Sequence, residues 1–210
     1  MTPEHDYLEV WLVRHGETEW NRAKRLQGHS DVELNGRGEA QASALAGRVA
    51  GITFDAVYAS DLQRARRTAE IAFPDQRLLL EPSLREMSLG DFEGRVVTEL
   101  QGPELELWSR MKAGDSLARP ANGESYADVM ARVGAWLDAL PASGRYACVT
   151  HGGVVASFLW LVQDRLKPAF TEPWPNIANV SVTVLRFAGE TASLVLLNDH
   201  AHLDQLTAAD

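Results

Sequence analysis

The sequence predicts a three-layer α/β fold, with a mainly parallel central sheet, helices on both faces and a C-terminal antiparallel hairpin. Strand-like apolar segments alternate with helix-like amphipathic segments, which is typical of a parallel sheet covered by helices. Residues 180–187 alternate with period two, Gly189-Glu190 turns the chain and residues 193–197 return, which predicts the hairpin. The 210 residues are 45% hydrophobic, enough for one large core, so we expect a single domain over residues 1–210.

The first half of the chain supplies three of the predicted strands and two of the predicted helices. The strands cover residues 8–13, 54–59 and 77–80. A helix over residues 37–49 follows Asn35-Gly36, and Gly51 lies just past its end. Ser60 or Asp61 is expected to cap a second helix that runs to about residue 72. Residues 22–35 between the first strand and the first helix are predicted to form a polar loop.

The second half is less regular at first and then returns to the alternation. Residues 84–94 are predicted to be a loop, and a helix over about 96–111 should be interrupted by Gly102-Pro103 or begin there. An amphipathic helix follows from residue 124 to about 140. A strand over 145–150, a buried helix over 154–162, a loop with three prolines (168, 173 and 175) and the hairpin strands 180–187 and 193–197 complete the prediction.

Composition excludes several functional classes. No apolar run reaches about 18 residues, so we expect no membrane span. The polar, acidic start of the chain argues against a signal peptide, and Cys148, the only cysteine, excludes a disulfide framework and is expected to be inert core. These features favour a cytoplasmic protein. The net charge of −9 argues against nucleic acid as a partner, although a local group of arginines could still bind a small anion.

Two strands end in the same way, as VWLVRHG and as YACVTHGG, and so deliver His15 and His151 to glycine turns. The carboxyl ends of parallel strands lie on one edge of the sheet, so the two imidazoles could meet there. Arginines such as Arg14 and Arg64 suit the oxygens of a phosphoryl group. One imidazole can be the nucleophile, and a carboxyl group such as Glu86 can protonate the leaving oxygen.

Some of these assignments have competitors nearby in the sequence, namely Arg66 and Arg67 for Arg64, and Asp91 and Glu93 for Glu86. The two competing arginines are at helical spacing and are expected to form a solvated face. His200 and His202 are expected to be structural or exposed, with a substrate pocket as the alternative. Four aromatic residues could form an apolar pocket wall or simply pack in the core: Trp108, Trp160, Phe170 and Trp174.

A set of motifs recurs in a fixed order over about residues 10–155. It consists of Arg14-His15-Gly16-Glu17-Thr18 with Trp20-Asn21, Leu26-Gln27-Gly28, Leu34-Asn35 to Gly38 with Gln41-Ala42, Ser60 to Ala65 with Thr68-Ala69, Leu84-Arg85-Glu86 with Gly90 to Gly94, Gly123-Glu124-Ser125, and His151-Gly152-Gly153. In this order the chain resembles the histidine phosphatase superfamily, and most nearly the branch that contains cofactor-dependent phosphoglycerate mutases and related phosphatases.

The resemblance implies a role for each matching residue. His15 would attack phosphorus and become a phosphohistidine, and Glu86 would protonate the leaving oxygen and then help take a proton from water. The groups that would surround the phosphoryl group are Arg14, Arg64 and His151. The residues that would touch phosphate or substrate are Asn21, Gln27 and Gly28. No metal and no cofactor are expected, because the cationic side chains supply the positive charge. A small phosphorylated molecule is the expected partner, and neither nucleic acid nor a membrane is expected. The sequence leaves open whether the chain forms a homodimer.

Within the family, the chain departs from the mutase pattern. Its segment between the acid and the second histidine is shorter, it has only Arg110 near Trp108 where mutases carry paired arginines, and Gly153 replaces an asparagine. These departures favour a metal-independent phosphomonoester hydrolase, with a cofactor-dependent phosphoglycerate mutase as the alternative. A non-catalytic phosphate-binding protein should have lost His15 or Glu86, and both are present. Sugar phosphates, nucleoside-type phosphates such as α-ribazole phosphate, and phosphoserine all remain open as substrates.

Overall fold

Six strands form one mixed sheet in the computed structural model, which describes residues 6–167 and 175–207. The strands are β1 (Leu8–Arg14), β2 (Ala56–Ala59), β3 (Leu78–Leu80), β4 (Gly144–Thr150), β5 (Val182–Ala188) and β6 (Thr191–Asp199). They lie in the order β3-β2-β4-β1-β5-β6. The first four strands in this order pair in parallel, and the last two add antiparallel pairs. The predicted fold class, including the C-terminal hairpin, is confirmed.

The helices alternate with these strands along the chain. They are α1 (Glu19–Arg22), α2 (Gly36–Val49), α3 (Gln63–Ala72), α4 (Gly102–Lys112), α5 (Tyr126–Asp138), α6 (Gly152–Val162) and α7 (Asp204–Thr207). The segment 84–94, predicted to be a loop, includes a 3₁₀ turn at Gly90–Phe92, and a 3₁₀ turn at Pro82–Leu84 overlaps its first residue. No helix in the described ranges is long and apolar enough to cross a membrane.

Alternate side chains of β1 face opposite sides of the sheet, where two cores with their helices give the fold its three layers. Val10 and Leu12 belong to a core that includes the buried faces of α5 and α6. Trp11 and Val13 point to the other side and belong to a core with residues of α2 and α3. Successive side chains of a strand point to opposite faces, so the apolar run from Val10 to Val13 must be covered on both sides.

Two predicted helix starts need correction or refinement. Neither Ser60 nor Asp61 caps α3, since its N-cap residue is Leu62, which makes no side-chain cap hydrogen bond. Asp31, from the loop before α2, instead accepts a hydrogen bond from the Gln63 backbone N–H at 2.8 Å. Of the two alternatives for residues 96–111, the helix begins at Gly102, and a 3₁₀ turn at Val97–Glu99 lies before it. The prolines at 168 and 173 lie outside the described residues.

Candidate active site

Parallel pairing of β1 with β4 places the two histidines side by side. Arg14 pairs in register with Thr150, and each histidine is the next residue in its chain segment. The His15 backbone N–H continues the ladder by donating to the Thr150 carbonyl at 2.8 Å. The ring centroids of His15 and His151 are 5.2 Å apart, with an angle of 59° between the planes. The sheet edge therefore brings both imidazoles together.

The His15 ring is held in one tautomer. Its Nδ1 lies 2.7 Å from the Gly16 carbonyl oxygen. A carbonyl can only accept, so Nδ1 carries the proton and Nε2 keeps its lone pair. Burial, and then the nearby charges of Arg64 and Arg14, hold the pKa of His15 well below its usual value. The ring is therefore neutral near pH 7, with Nε2 in the state that a nucleophile requires.

Arg64 projects from the first turn of α3 and is fully buried. Its Nη2 donates to the Gly28 carbonyl at 2.8 Å, and its Nη1 donates to the Ser30 carbonyl at 2.9 Å. Burial lowers the pKa of Arg64 to about 10, so the guanidinium is still charged at neutral pH. The loop of residues 28–30 therefore fixes the orientation of a buried cation.

Three buried nitrogens at this sheet edge have no hydrogen-bond partner among the described residues: Arg14 Nε, Arg64 Nε and His151 Nδ1. Each of these side chains is anchored through another nitrogen: Arg14 Nη1 donates to the Ile177 carbonyl at 2.5 Å, and His151 Nε2 lies 2.9 Å from Ser60 Oγ. Buried polar groups almost always find a partner in native proteins. An oxyanion between these nitrogens would provide one, so the arrangement is typical of an anion site.

Glu86 is fixed through both its backbone and its side chain. Its carbonyl oxygen accepts from Arg132 Nη2 at 3.0 Å and lies 2.8 Å from His29 Nε2. The carboxylate accepts from the Met87 N–H at 2.9 Å and from the Gly153 N–H at 3.3 Å. The second of these bonds holds the carboxylate at Gly153, which follows His151 by two residues. Glu86 and His15 line the same cleft.

The cleft over this edge has a volume of about 520 Å³. Its lining includes the predicted groups Arg14, His15, Arg64 and Glu86, together with the predicted substrate contacts Asn21, Gln27 and Gly28. His151 is fully buried, directly beside His15. An apolar wall includes Trp108 and Trp160, while Phe170 and Trp174 lie outside the described residues. No group of three or more His, Cys, Asp or Glu side chains that could hold a metal ion occurs in the described ranges.

The two predicted amide residues present free donors to the cleft. Asn21 Oδ1 accepts from the Thr18 backbone N–H at 3.1 Å, and Gln27 Oε1 accepts from Thr18 Oγ1 at 3.1 Å. Each amide therefore has its oxygen turned to Thr18, while its NH₂ group has no partner among the described residues. Gly28 has a φ of +52°, and a Cβ there would overlap the Glu93 carboxylate. The turn at this position therefore requires glycine.

The residues that compete in the sequence with Arg64 and Glu86 lie outside the cleft. Arg66 pairs with Glu70 and Arg67 pairs with Glu39 on the surface. Asp91 accepts from Asn122, and Glu93 accepts from Ser30. None of the competitors, and neither His200 nor His202, is among the residues that line the cleft. Arg64 and Glu86 are thus the members of their groups that the fold brings to the two histidines.

Sequence reasoning missed several residues of the site. Ser60 supports the His151 ring, and Asn179 Nδ2 donates to the His15 carbonyl at 2.9 Å. Burial, followed by the charge of Glu86, raises the pKa of Tyr126 to about 12, so its phenol stays protonated beside that carboxylate. Asn179 and Tyr126 stood in no motif that could have marked them, while Ser60 stood in a family motif and was predicted only as a helix cap.

Arg110, the one arginine that the sequence places near Trp108, is not part of the cleft. Arg110 donates to Asp115 at 2.7 Å and does not line the cleft. The additional cations that do line it are Arg25 and Lys112. Arg110 and Lys112 are two residues apart on α4, and two residues on a helix do not share a face, so only one of them can point into the cleft.

Comparisons with known proteins agree with this geometry. A model of the histidine phosphatase superfamily (branch 1) matches residues 10–200. Phosphoglycerate mutase-like protein 4 of Arabidopsis thaliana is 34% identical over 209 residues, covering 95% of this chain and 89% of that protein. Phosphoserine phosphatase of Entamoeba histolytica, solved with 3-phosphoglyceric acid, has a TM-score of 0.80 at 27% identity, covering 93% of this chain and 99% of that one. A mycobacterial glucosyl-3-phosphoglycerate phosphatase, solved with VO₃, has a TM-score of 0.76 at 28% identity, covering 90% and 98%.

Proposed function

This chain belongs to the histidine phosphatase superfamily (branch 1), and we propose that it is a metal-independent phosphomonoester hydrolase that acts on a small organic phosphate. One observation carries the proposal. The unprotonated Nε2 of His15 and three unpartnered buried nitrogens lie at one sheet edge, with the Glu86 carboxylate in the same cleft. This arrangement combines a nucleophile, an oxyanion site and an acid, the three components that phosphoryl transfer through an enzyme intermediate requires.

In the first half-reaction, the phosphoryl oxygens accept hydrogen bonds from Arg14, Arg64 and His151. The His15 Nε2 lone pair attacks phosphorus as the ester P–O bond breaks. Protonated Glu86 gives its proton to the leaving oxygen, so the alcohol departs neutral and a phosphohistidine remains.

In the second half-reaction, a water molecule attacks the phosphohistidine. The Glu86 carboxylate takes one of its protons, the P–N bond breaks, and its electron pair returns to Nε2. Inorganic phosphate leaves, and both the acid and the nucleophile are restored. Two guanidinium charges and a hydrogen bond from the His151 ring provide the stabilisation that a metal ion supplies in other phosphoryl-transfer enzymes.

The alternative function is phosphoglycerate mutation, and two observations favour it. The Arabidopsis relative is named phosphoglycerate mutase-like protein 4, and Arg25 and Lys112 add positive charge to the cleft. Against it, a mutase must hold a second phosphate while excluding water, and the paired arginines of the mutase pattern are missing here. The names of the two solved relatives, both phosphatases of small organic phosphates, support hydrolysis.

The deciding assay supplies 3-phosphoglycerate with a trace of 2,3-bisphosphoglycerate and follows both 2-phosphoglycerate and free phosphate. A parallel arm follows 4-nitrophenyl phosphate with and without a chelator, and the His15→Ala variant serves as the blank. Phosphate release with almost no isomer, unaffected by chelator, is expected. Rapid isomerisation with little phosphate would establish the mutase, and a strict metal requirement would contradict the mechanism. Phosphate binding without turnover of any ester would indicate a non-catalytic binding protein.

A further inference from the structure

The cleft is cationic although the chain as a whole is acidic. The sequence carries a net charge of −9. Among the described residues that line the cleft, four are cations (Arg14, Arg25, Arg64 and Lys112) and only Glu86 is acidic. Charged walls of one sign concentrate the field inside a cleft and favour ligands of the opposite sign. The ligand of this cleft should therefore carry more negative charge than the reacting phosphoryl group alone requires.

The four cations fall into two pairs. Arg64 is fully buried, and Arg14 is largely enclosed, so this pair forms the floor beside His15. Arg25 and Lys112 are exposed, so this second pair forms the mouth of the same cleft. Floor cations that bind the phosphoryl oxygens leave the pair at the mouth available for another group.

Among the residues that the structure describes, the two cations at the mouth have no carboxylate partner. Most arginines elsewhere on the surface are paired, for example Arg95 with Glu104 at 2.8 Å and Arg110 with Asp115 at 2.7 Å. Within the described residues, neither Arg25 nor Lys112 forms such a pair. Unpaired cations at the mouth are consistent with an anionic partner that comes from solution.

Arg25 is also held in place. Its Nη1 donates to the Gly94 carbonyl at 2.7 Å, and its guanidinium lies 5.5 Å from the centroid of the Trp20 ring. Its backbone forms an isolated antiparallel bridge with Val96. These contacts fix the position of the charge without neutralising it, which lowers the entropy cost of binding an anion there.

One wall of the cleft is apolar. Trp108 and Trp160 line it, and Tyr126 packs edge-to-face on Trp160 with centroids 4.6 Å apart. A volume of about 520 Å³ is in the range of cavities that hold a small organic molecule. The space can thus accommodate an organic body between the two pairs of cations.

We propose that Arg25 and Lys112 form a second anion subsite, which binds a carboxylate or phosphate group at the opposite end of the substrate from the reacting phosphate. The substrate class is then a phosphomonoester with a partly apolar body and a second anionic group. This inference rests on the proposed function, because the reacting phosphate must lie at His15 for the second group to reach the mouth.

The test compares three aryl phosphates that differ in one substituent: 4-carboxyphenyl phosphate, 4-(phosphonomethyl)phenyl phosphate and the neutral 4-carbamoylphenyl phosphate. The wild type should prefer at least one anionic ester over the neutral one by roughly tenfold in kcat/KM, since about 1.4 kcal/mol corresponds to a factor of ten. The carboxylate and phosphonate arms show which anion the subsite takes. The double variant Arg25→Gln, Lys112→Gln should reduce the preference to near one.

Arg110→Gln is the matched control, because it removes a cation from the same helix outside the cleft, and it should keep both the activity and the preference. A wild type with no preference, or a double variant that retains it, would overturn the subsite. Calorimetric binding of the corresponding non-hydrolysable aryl phosphonates separates the two claims. If no ester is hydrolysed, the proposed function fails, while a binding preference that disappears in the double variant would still support the subsite.

Discussion

The Glu86 carboxylate occupies the space that a side chain at position 153 would need. Its Oε2 accepts from the Gly153 N–H at 3.3 Å, and a Cβ on Gly153 would lie 2.5 Å from Oε1. Gly153 is the second residue of α6, and His151 is its N-cap residue. The glycine thus allows the carboxylate to approach the N-terminus of the helix that begins beside the second histidine.

Gly153→Ala should therefore displace the proposed acid, Glu86, without disturbing the proposed nucleophile, His15. We expect a loss of roughly ten- to hundredfold in kcat for alkyl phosphates, below the full worth of a general acid, which is roughly 10²–10⁴. Nitrophenyl phosphate needs no protonation of its leaving group, so its hydrolysis should change little. Steady-state kinetics on the two ester types measures the difference.

Gly47→Ala is the control for this substitution, since Gly47 also lies in a helix and a Cβ there would meet nothing within 4 Å. Replacing an exposed helical glycine by alanine should leave activity unchanged and stabilise the fold by up to about 1 kcal/mol. Equal losses for both ester types in Gly153→Ala would show that the substitution disturbs more than the acid.

Glu86→Gln tests the acid itself while preserving its shape. We expect a loss of roughly 10²–10⁴-fold for alkyl phosphates and a much smaller loss for nitrophenyl phosphate. The slope of log kcat against the pKa of the leaving alcohol should become steeper in the variant. An unchanged slope would mean that another group protonates the leaving oxygen.

The buried histidines should make the protein sensitive to mild acid. Burial, and then the charge of Arg64, hold the pKa of both His15 and His151 well below the usual value of 6.5. As the pH falls, these two histidines therefore become protonated in the unfolded chain at a higher pH than in the folded protein. The free energy of unfolding therefore has its full value above about pH 6.5. It decreases as the pH falls below this value, by up to about 1.4 kcal/mol per pH unit for each histidine.

Urea unfolding between about pH 5 and pH 8 measures this dependence. The free energy of unfolding should decline below about pH 6.5 in the wild type, and His151→Asn should show a shallower decline because one of the two groups is gone. A wild-type stability that is flat across this interval would contradict the neutral, buried state of the two rings.

Asn179 positions His15, the proposed nucleophile, through its backbone carbonyl. Its Nδ2 donates to the His15 carbonyl at 2.9 Å and to Asn21 Oδ1 at 3.3 Å. Removing these bonds in Asn179→Ala should lower kcat by a few-fold to about tenfold, given roughly 0.5–1.5 kcal/mol for each hydrogen bond. Asn179→Asp should be worse, because a carboxylate would face two acceptor oxygens. Kinetics and thermal unfolding together check this, and an Asp variant as active as the wild type would exclude the role.

The pairing of His15 with His151 could be predicted from the sequence because it depends on a local rule. Each histidine follows directly after an apolar strand, and the carboxyl ends of adjacent parallel strands lie together. The layers were predictable for a similar reason, since the apolar runs and helical spacings are local patterns.

The rest depends on contacts between segments far apart in the chain. Ser60 and His151 meet although 91 positions separate them, and Asp31 caps a helix that begins 32 positions later. Which of Arg110 and Lys112 faces the cleft depends on the rotation of α4, and its weakly amphipathic sequence does not determine that rotation. Local patterns carry no information about such packing. This explains why the sequence did not predict the Asp31 cap, the contact of Asn179 with His15 or the position of Lys112 in the cleft.

The central claim is that a phosphoryl group passes through Nε2 of His15. Rapid quenching of the enzyme during turnover of a slow substrate, under alkaline conditions that preserve phosphohistidine, followed by peptide mass spectrometry, tests it most directly. We predict one added phosphoryl group on the peptide that contains His15, lost on acid treatment and absent in His15→Ala. Turnover with no phosphopeptide under single-turnover conditions, or a phosphoryl group on another residue, would contradict the account.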